Sequence, residues 1–127
     1  MIPNTIVTLV VIGALFLFLY FRFFSSKGIS QISTRQLQSI VESSSNHQYI
    51  DVRSVSEYQR GHIREFKNLP LDTLTTKMAT LAKNQPIYVL CQSGMRSMKA
   101  SQQLKKSGFT TIVNVKGGMN KWRGSTQ

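Results

Sequence analysis

The only cysteine of this 127-residue chain lies in a short polar loop. Residues 91–97 read CQSGMRS, and we call them the cysteine loop. They follow the apolar run PIYVL (86–90) and precede a segment with helical spacing. Gly94 gives the backbone the freedom to bend sharply here, so the amides of residues 92–97 can turn toward a common centre. The pattern predicts a cradle for an anion, with the sulfur of Cys91 at its focus.

Several features of the cysteine loop favour a charged sulfur. The first turn of the following helix adds unpaired N–H groups and the positive end of a helix dipole, which stabilise a thiolate. Arg96 adds a full positive charge, and Ser93 and Ser97 can donate hydroxyl hydrogen bonds. A cysteine at the end of an apolar strand is also often a small buried hydrophobe. The loop alone therefore leaves two roles open for Cys91, a nucleophile and a packing residue.

The first 24 residues differ from the rest of the chain. Residues 1–21 carry no charged side chain, and a helix over 5–24 would be roughly 30 Å long, the thickness of a bilayer core. We predict a transmembrane anchor over 1–24. A cleaved signal peptide is the alternative, but nothing basic except the terminal amine precedes the apolar run. Arg22, Lys27 and Arg35 follow that run, and the positive-inside rule then predicts a single-pass protein with its C-terminal domain in the cytoplasm.

The remainder divides into a polar linker, 25–28, and one domain, 29–127. Residues 25–127 hold 15 Lys and Arg against 5 Asp and Glu. Zinc-ligand spacing, a helix-turn-helix signal and a basic helix with interleaved aromatics are all absent, so we expect no nucleic-acid partner. Membrane lipid headgroups and small anionic substrates explain the surplus with fewer assumptions.

The domain alternates segments of strand type and helix type. Strands are predicted at 49–53, 68–71, 86–91 and 110–115, and helical segments at 29–42, 54–60, 72–83, 96–107 and 116–124. Asp72 is the predicted cap of its helix, and Pro70 confines its strand to an edge or a strand end. The alternation predicts an α/β domain with a mainly parallel sheet flanked by helices. Ligands of such sheets bind outside the carboxyl ends of the strands, where Cys91 would lie.

Three motifs resemble one known family. The loop CQSGMRS resembles the active-site loop of rhodanese-type sulfurtransferases, YIDVRSVSEYQRGHIREFKNLPL (49–71) resembles their upstream signature, and VKGGMNKWRG (115–124) resembles their closing motif. The likeness covers roughly 29–124, in the family's own order, and leaves the anchor outside.

The resemblance implies a rhodanese-like fold and a two-step transfer of sulfur. Cys91 would attack the outer sulfur of a small anionic donor such as thiosulfate and expel sulfite. The Cys91 persulfide would then pass its outer sulfur to a thiol acceptor, a small molecule or a protein, or to cyanide. Arg96 would bind the donor, and the loop residues Gln92, Ser93, Gly94, Met95, Arg96 and Ser97 would surround it. Neither a cofactor nor a metal is implied.

The chain departs from the family pattern in two places. Many rhodaneses have a basic residue directly after the cysteine, where this chain has Gln92, which puts thiosulfate as preferred donor in question. Glu65 and Phe66 replace a small pair in the upstream signature.

Related phosphatases and arsenate reductases have one more residue between cysteine and arginine than the C-x4-R spacing here. The tighter loop suits one sulfur atom better than a tetrahedral phosphate, so phosphatase activity is the weaker enzyme hypothesis.

Two charged residues end the first predicted strand near the same edge. We interpret Asp51 as a hydrogen-bonded structural residue, because strand-end carboxylates commonly hold loops in place. Arg53 either pairs with Glu57 or faces the pocket.

The two histidines and the tryptophan are interpreted structurally. His62 is expected to be buried and hydrogen-bonded rather than a base for Cys91, and His47 to be solvated in a polar loop. One cysteine and two separated histidines do not make a zinc site. Trp122 is expected to pack against the domain.

Two functions remain open at this stage. The first is the membrane-anchored sulfurtransferase with Cys91 as nucleophile. The second is a non-catalytic rhodanese-like binding or redox-sensing module that recruits a partner to the membrane.

Overall fold

The computed structural model describes residues 1–24, 28–43 and 46–127. The chain begins with helix α1 (Asn4–Phe24), whose stretch Asn4–Arg22 is long and apolar enough to cross a membrane and contains no buried residue. A signal sequence passes the same test of length and composition. Most of the predicted linker, residues 25–27, lies outside the described residues.

Five parallel strands form one sheet with the order β1-β5-β4-β2-β3. The strands are β1 (Ile29–Ile32), β2 (Gln48–Asp51), β3 (Lys67–Asn68), β4 (Ile87–Leu90) and β5 (Ile112–Val115). The helices are α2 (Thr34–Ser43), α3 (Val55–Arg60), α4 (Leu74–Lys77), α5 (Met95–Lys106) and α6 (Gly118–Lys121), and 3-10 turns flank α4 at Leu71–Thr73 and Met78–Thr80. The predicted α/β class with a parallel sheet is confirmed.

Apolar side chains cover both faces of the sheet. One cluster packs Leu74 and Leu104 against Val89, and the other packs Leu37 and Phe66 on the opposite face. Every residue of β4 and β5 is buried, which explains the continuous apolar run before the cysteine loop. Truncating a fully buried leucine such as Leu104 to alanine would cost about 2–5 kcal/mol.

The predicted helix over 29–42 is wrong at its start. Residues 29–32 form the edge strand β1, and the helix begins after Ser33. Ser33 accepts a hydrogen bond from the Gln36 N–H at 3.2 Å, and its own N–H donates to Gln36 Oε1 at 2.9 Å. This capping box sets the helix start, and the four residues before it are too few to show a strand period.

The predicted continuous helix from Asp72 to Lys83 is also wrong. The structure has a single α-helical turn between two 3-10 turns. No side chain caps the beginning of any of these three elements. Thr76 Oγ1 donates to the Thr73 carbonyl at 2.8 Å, and Thr80 Oγ1 donates to the Lys77 carbonyl at 2.7 Å. Hydroxyl groups that bond to nearby carbonyls compete with the regular helical pattern.

The remaining elements differ from prediction mainly at their ends. Strand β2 spans Gln48–Asp51 rather than 49–53, and α5 begins at Met95, one residue early. Gly108 follows α5 with φ +97° in the left-handed region and stops the helix there, in agreement with the predicted helix end at 107. Because all five strands are parallel, their carboxyl ends meet at one edge of the sheet. The segments after them, including the cysteine loop, therefore lie together there.

Candidate active site

Cys91 follows β4 directly and has no exposed surface. Its sulfur accepts a hydrogen bond from the Gly94 N–H at 3.0 Å and lies 3.3 Å from Ser97 Oγ. In the thiol form the S–H donates to that hydroxyl, and in the thiolate form the hydroxyl can turn and donate to the sulfur. Gly94 has φ +103°, a conformation that side chains rarely adopt, and this bend directs its N–H at the sulfur.

The predicted ring of amides around the sulfur is present in part. Among the described residues, the Gly94 N–H and the Ser97 hydroxyl are the hydrogen-bonding groups at Sγ. Cys91 also belongs to the apolar cluster that holds Val89 and Ala100, so the packing role left open by the sequence is real. Since Cys91 is fully covered, a sulfur donor must displace part of its cover to reach Sγ.

Backbone hydrogen bonds from the closing motif hold the cysteine loop in place. The Met119 N–H donates to the Cys91 carbonyl at 2.9 Å, and the Asn120 N–H donates to the Gln92 carbonyl at 3.0 Å. A Cβ atom at Gly118 would overlap that Cys91 carbonyl, so only glycine permits this approach. This role of Gly118 was not predicted from the sequence, although a glycine pair in a motif is a signal for close backbone approach.

Arg96 is bound by Glu57, which the sequence analysis did not place at the site. Its two terminal nitrogens donate to the two carboxylate oxygens at 2.7 and 2.9 Å. Hydrogen bonding from Arg96 lowers the pKa of Glu57 to about 2, and the carboxylate in turn raises the pKa of Arg96. Ser54 fixes Glu57 through a capping box at the start of α3. The positive charge predicted for a donor is thus already compensated.

Arg53 does not form the predicted pair with Glu57. It is 3% exposed and pairs with Asp51 at 2.8 Å instead of with Glu57. Its guanidinium also donates to the Gly61 carbonyl at 2.8 Å and to Gln92 Oε1 at 3.3 Å, so it touches the cysteine loop from the side. The structural interpretation of Asp51 agrees with these contacts, because its carboxylate is fully buried against Arg53.

Gln92 connects the three sequence motifs. Its side chain accepts from Arg53 of the upstream signature and donates to Asn120 of the closing motif at 2.7 Å. The amide that stands in place of a basic residue thus braces the loop between two neighbours. In the upstream signature, Phe66 is 2% exposed, and its ring centre lies 5.2 Å from that of Tyr49. Its ring is therefore part of the buried core of the domain.

The histidines and the tryptophan lie away from these contacts. His62 is partly buried, stacks on Tyr58 and has Nδ1 2.9 Å from the Tyr58 carbonyl, close to expectation. His47 was expected to be solvated, which is wrong. It is half-buried with its ring centre 5.1 Å from that of Tyr88, because His47 directly precedes β2, which pairs with the strand that carries Tyr88. Trp122 packs on the second apolar cluster as predicted.

Comparison with known proteins identifies the family. The model of the rhodanese-like domain matches residues 33–125. Thiosulfate sulfurtransferase 18 of Arabidopsis thaliana is 32% identical over 112 residues, which cover 77% of this chain and 82% of that protein. A crystal structure of a rhodanese-like domain protein from Staphylococcus aureus superposes with a TM-score of 0.69 at 34% identity, covering 76% of this chain and 92% of that one.

Other relatives are longer than the matched region. The alignments to the Bacillus subtilis proteins YrkF and YqhL span 56% and 61% of those proteins, at 34% and 43% identity. The matches fall on the domain that carries the cysteine loop, and relatives named as sulfurtransferases support a function in sulfur transfer. The chain belongs to the rhodanese-like domain family, as a single domain of that fold.

Proposed function

We propose that the protein is a membrane-anchored sulfurtransferase in which Cys91 carries sulfur as a persulfide. The observation that supports this most directly is the placement of Cys91 Sγ at the carboxyl edge of the sheet, with the Gly94 N–H at 3.0 Å. A backbone donor aimed at sulfur stabilises the negative charge that both a thiolate and a persulfide carry.

The reaction has two displacements at sulfur. The Cys91 thiolate attacks the outer sulfur of thiosulfate, the sulfur–sulfur bond of the donor breaks, and sulfite leaves with the electron pair. An acceptor thiolate then attacks the outer sulfur of the Cys91 persulfide, and the Cys91 thiolate is the leaving group. Each step forms one bond to sulfur and breaks one, so no oxidant or reductant is needed.

The loop residues have distinct roles in this scheme. The Gly94 N–H donates to the sulfur, the Ser97 hydroxyl turns to donate to it in the thiolate form, and Gln92 braces the loop against Arg53 at the pocket edge. Ser93 and Met95 are the exposed residues of the loop, so a donor in solution meets them first. Arg96, in its pair with Glu57, holds α3 against the start of α5.

The anchor and topology are part of the proposal. Residues 1–24 hold the domain, 29–127, at the membrane through the linker 25–28, and the cations after the apolar run place the domain in the cytoplasm. Protease treatment of sealed, right-side-out cells or vesicles should leave the domain intact until the membrane is opened. Cleavage of the domain without permeabilisation, or release of a protein lacking residues 1–24, would contradict this placement.

The enzymatic claim is tested on the full-length protein in detergent micelles. After incubation with thiosulfate, we expect a mass gain of one sulfur atom on the peptide that contains Cys91, and loss of that mass on addition of dithiothreitol. Cys91→Ser is the matched variant, and it should show no gain. Absence of a persulfide with thiosulfate and with an organic persulfide donor would remove the claim.

The complete burial of Cys91 favours one alternative, a non-catalytic module that binds a partner at the membrane. In that case the cysteine is a packing residue, and Cys91→Ser would lower stability without changing any transfer of sulfur. The mass experiment separates the two functions, because only the enzyme accumulates the persulfide.

A further inference from the structure

A second feature at the carboxyl edge of the sheet is a groove of about 800 Å³. We call it the basic groove. It is lined by four cations, Arg35, Lys116, Lys121 and Arg123, and by small or polar residues that include Ser93 and Gly117. Among the described residues its lining includes no carboxylate, so it is a surface of one charge sign beside the cysteine loop.

The groove adjoins the cysteine loop. Its residues follow the carboxyl ends of β1, β5 and β4, which are neighbours in the sheet. Ser93 belongs both to the groove and to the cysteine loop, and Gly117 belongs both to the groove and to the turn that supports the loop. A molecule held in the groove is therefore adjacent to the cysteine loop.

The charge of the groove is not compensated from within the described chain. In the described ranges, none of the four cations forms an ion pair with a carboxylate. Three of the five acidic residues pair with arginines elsewhere, namely Asp51, Glu57 and Glu65, and the other two, Glu42 and Asp72, do not line the groove. Such a surface attracts an anionic partner and accelerates its association.

The size and placement of the groove narrow the kind of partner. A volume of this order holds a drug-sized ligand or a chain segment, far more than a donor of a few atoms such as thiosulfate. The chain enters β1 at Ile29, from the amino edge of the sheet, whereas the groove lies at the carboxyl edge. Helix α5, with 12 residues and a length of about 18 Å, runs between the two edges. The groove and the point where the chain enters the domain therefore lie at opposite edges of the sheet.

We propose that the basic groove binds an acidic segment of a protein thiol that accepts sulfur from Cys91. The inference rests on the proposed function and names its acceptor class. Docking brings the acceptor cysteine over the loop, and its thiolate attacks the outer sulfur of the persulfide. The sulfur–sulfur bond to Cys91 breaks, the electron pair returns to Sγ, and the acceptor becomes the persulfide.

The test measures sulfur transfer from the full-length persulfide form in detergent micelles. Two synthetic peptides serve as protein-like acceptors, each with one cysteine flanked by either glutamates or glutamines. Dithiothreitol is the uncharged small thiol, and coenzyme A is the phosphorylated small thiol. We expect the glutamate peptide to react at least about tenfold faster than the glutamine peptide at low ionic strength, and the ratio to shrink as salt is raised.

Charge reversal assigns this preference to the groove. In the double variant Arg35→Glu, Lys121→Glu, we expect the ratio between the two peptides to fall to about one or below. Each rate is divided by the rate of the same variant with dithiothreitol, so that any effect on the loop itself cancels. The double variant Lys77→Glu, Lys106→Glu is the matched control, because these exposed cations on α4 and α5 lie outside the groove and the change in net charge is the same, and it should keep the wild-type ratio.

The outcomes distinguish docking in the basic groove from the sulfurtransferase activity on which it rests. Transfer to dithiothreitol without any preference for the glutamate peptide would overturn the docking role and leave the sulfurtransferase intact. A faster reaction with coenzyme A than with the glutamate peptide would also overturn it, in favour of a phosphorylated small acceptor. Absence of transfer to every thiol would remove both proposals. An equal loss of preference in Lys77→Glu, Lys106→Glu would show a general effect of net charge and contradict the assignment to the groove.

Discussion

The carboxylate of Glu57 binds the guanidinium of Arg96 through two hydrogen bonds of 2.7 and 2.9 Å, across 39 positions of the chain. The pair joins the start of α3 to the first turn of α5, immediately beside the cysteine loop. It is partly exposed, with 39% of the arginine side chain and 27% of the glutamate side chain accessible. Two consequences of this pair can be measured.

The first concerns the affinity for an anionic donor. In Glu57→Gln, Arg96 keeps its charge but loses the carboxylate that compensates it. We expect the KM for thiosulfate to fall by about threefold or more at low ionic strength, and the effect to weaken with salt. Glu65→Gln is the control, because Glu65 pairs with Arg64 outside the loop. An unchanged KM in Glu57→Gln would show that Arg96 does not contact the donor even when released.

The second concerns the dependence of stability on pH. The pKa of Glu57 falls from 4.5 to about 2 on folding, because Arg96 bonds to the ionised form. A depressed pKa contributes stability that is fully present above about pH 4.5 and is lost as the pH falls toward 2. For so exposed a pair the contribution is about 1 kcal/mol or less.

Urea unfolding of the wild type and Glu57→Gln, from pH 7 down to pH 2, measures this contribution. The difference in unfolding free energy should be constant above about pH 4.5 and should shrink below it. A difference that disappears already between pH 7 and pH 5 would contradict the low pKa.

Gly118 should be intolerant of a side chain. In Gly118→Ala the new Cβ meets the Cys91 carbonyl oxygen, and the backbone φ of +54° is unfavourable for alanine. We expect a loss of stability of about 1–3 kcal/mol and slower formation of the persulfide, because the loop must move away from α6. Thermal unfolding and the mass assay measure the two effects. Gly61→Ala is the control, since a Cβ there meets nothing closer than 3.8 Å. Equal behaviour of the two variants would show that the loop does not depend on this contact.

The Ser97 hydroxyl should contribute to the charged sulfur. In Ser97→Ala the sulfur keeps the Gly94 N–H and loses the oxygen at 3.3 Å. A hydrogen bond to a charged group contributes about 1.5–3 kcal/mol, so we expect single-turnover persulfide formation to slow by roughly tenfold or more. Ser101→Ala removes another buried hydroxyl of α5, which donates to the Ser97 carbonyl at 2.7 Å, and serves as the control. If both variants transfer sulfur at the same rate, the Ser97 hydroxyl has no special role.

Elements with a strong local pattern were predictable from the sequence. The continuous apolar run before Cys91 indicated a strand buried on both faces, and β4 is buried throughout. Gly108 marked the end of α5, and Pro70 marked the edge position of β3. Strand β1 was not predicted. It has four residues and lies at the edge of the sheet, where it pairs with one strand, so its sequence shows little alternation of apolar and polar residues. The irregular segment around α4 escaped it because threonine side chains bond locally, which hydrophobic spacing does not reveal.

By itself, the sequence determined the class of fold, the position of the cysteine loop at a strand end and the likeness to one family, because each of these depends on residues near one another in the chain. Only the tertiary structure decided which groups surround the loop. Glu57 compensates Arg96, Gly118 supports the Cys91 carbonyl, and four separate cations converge on one groove. These contacts arise because parallel strands bring their carboxyl ends to one edge. The segments that follow each strand meet there whatever their separation in the chain, and no local pattern records which partner each will find.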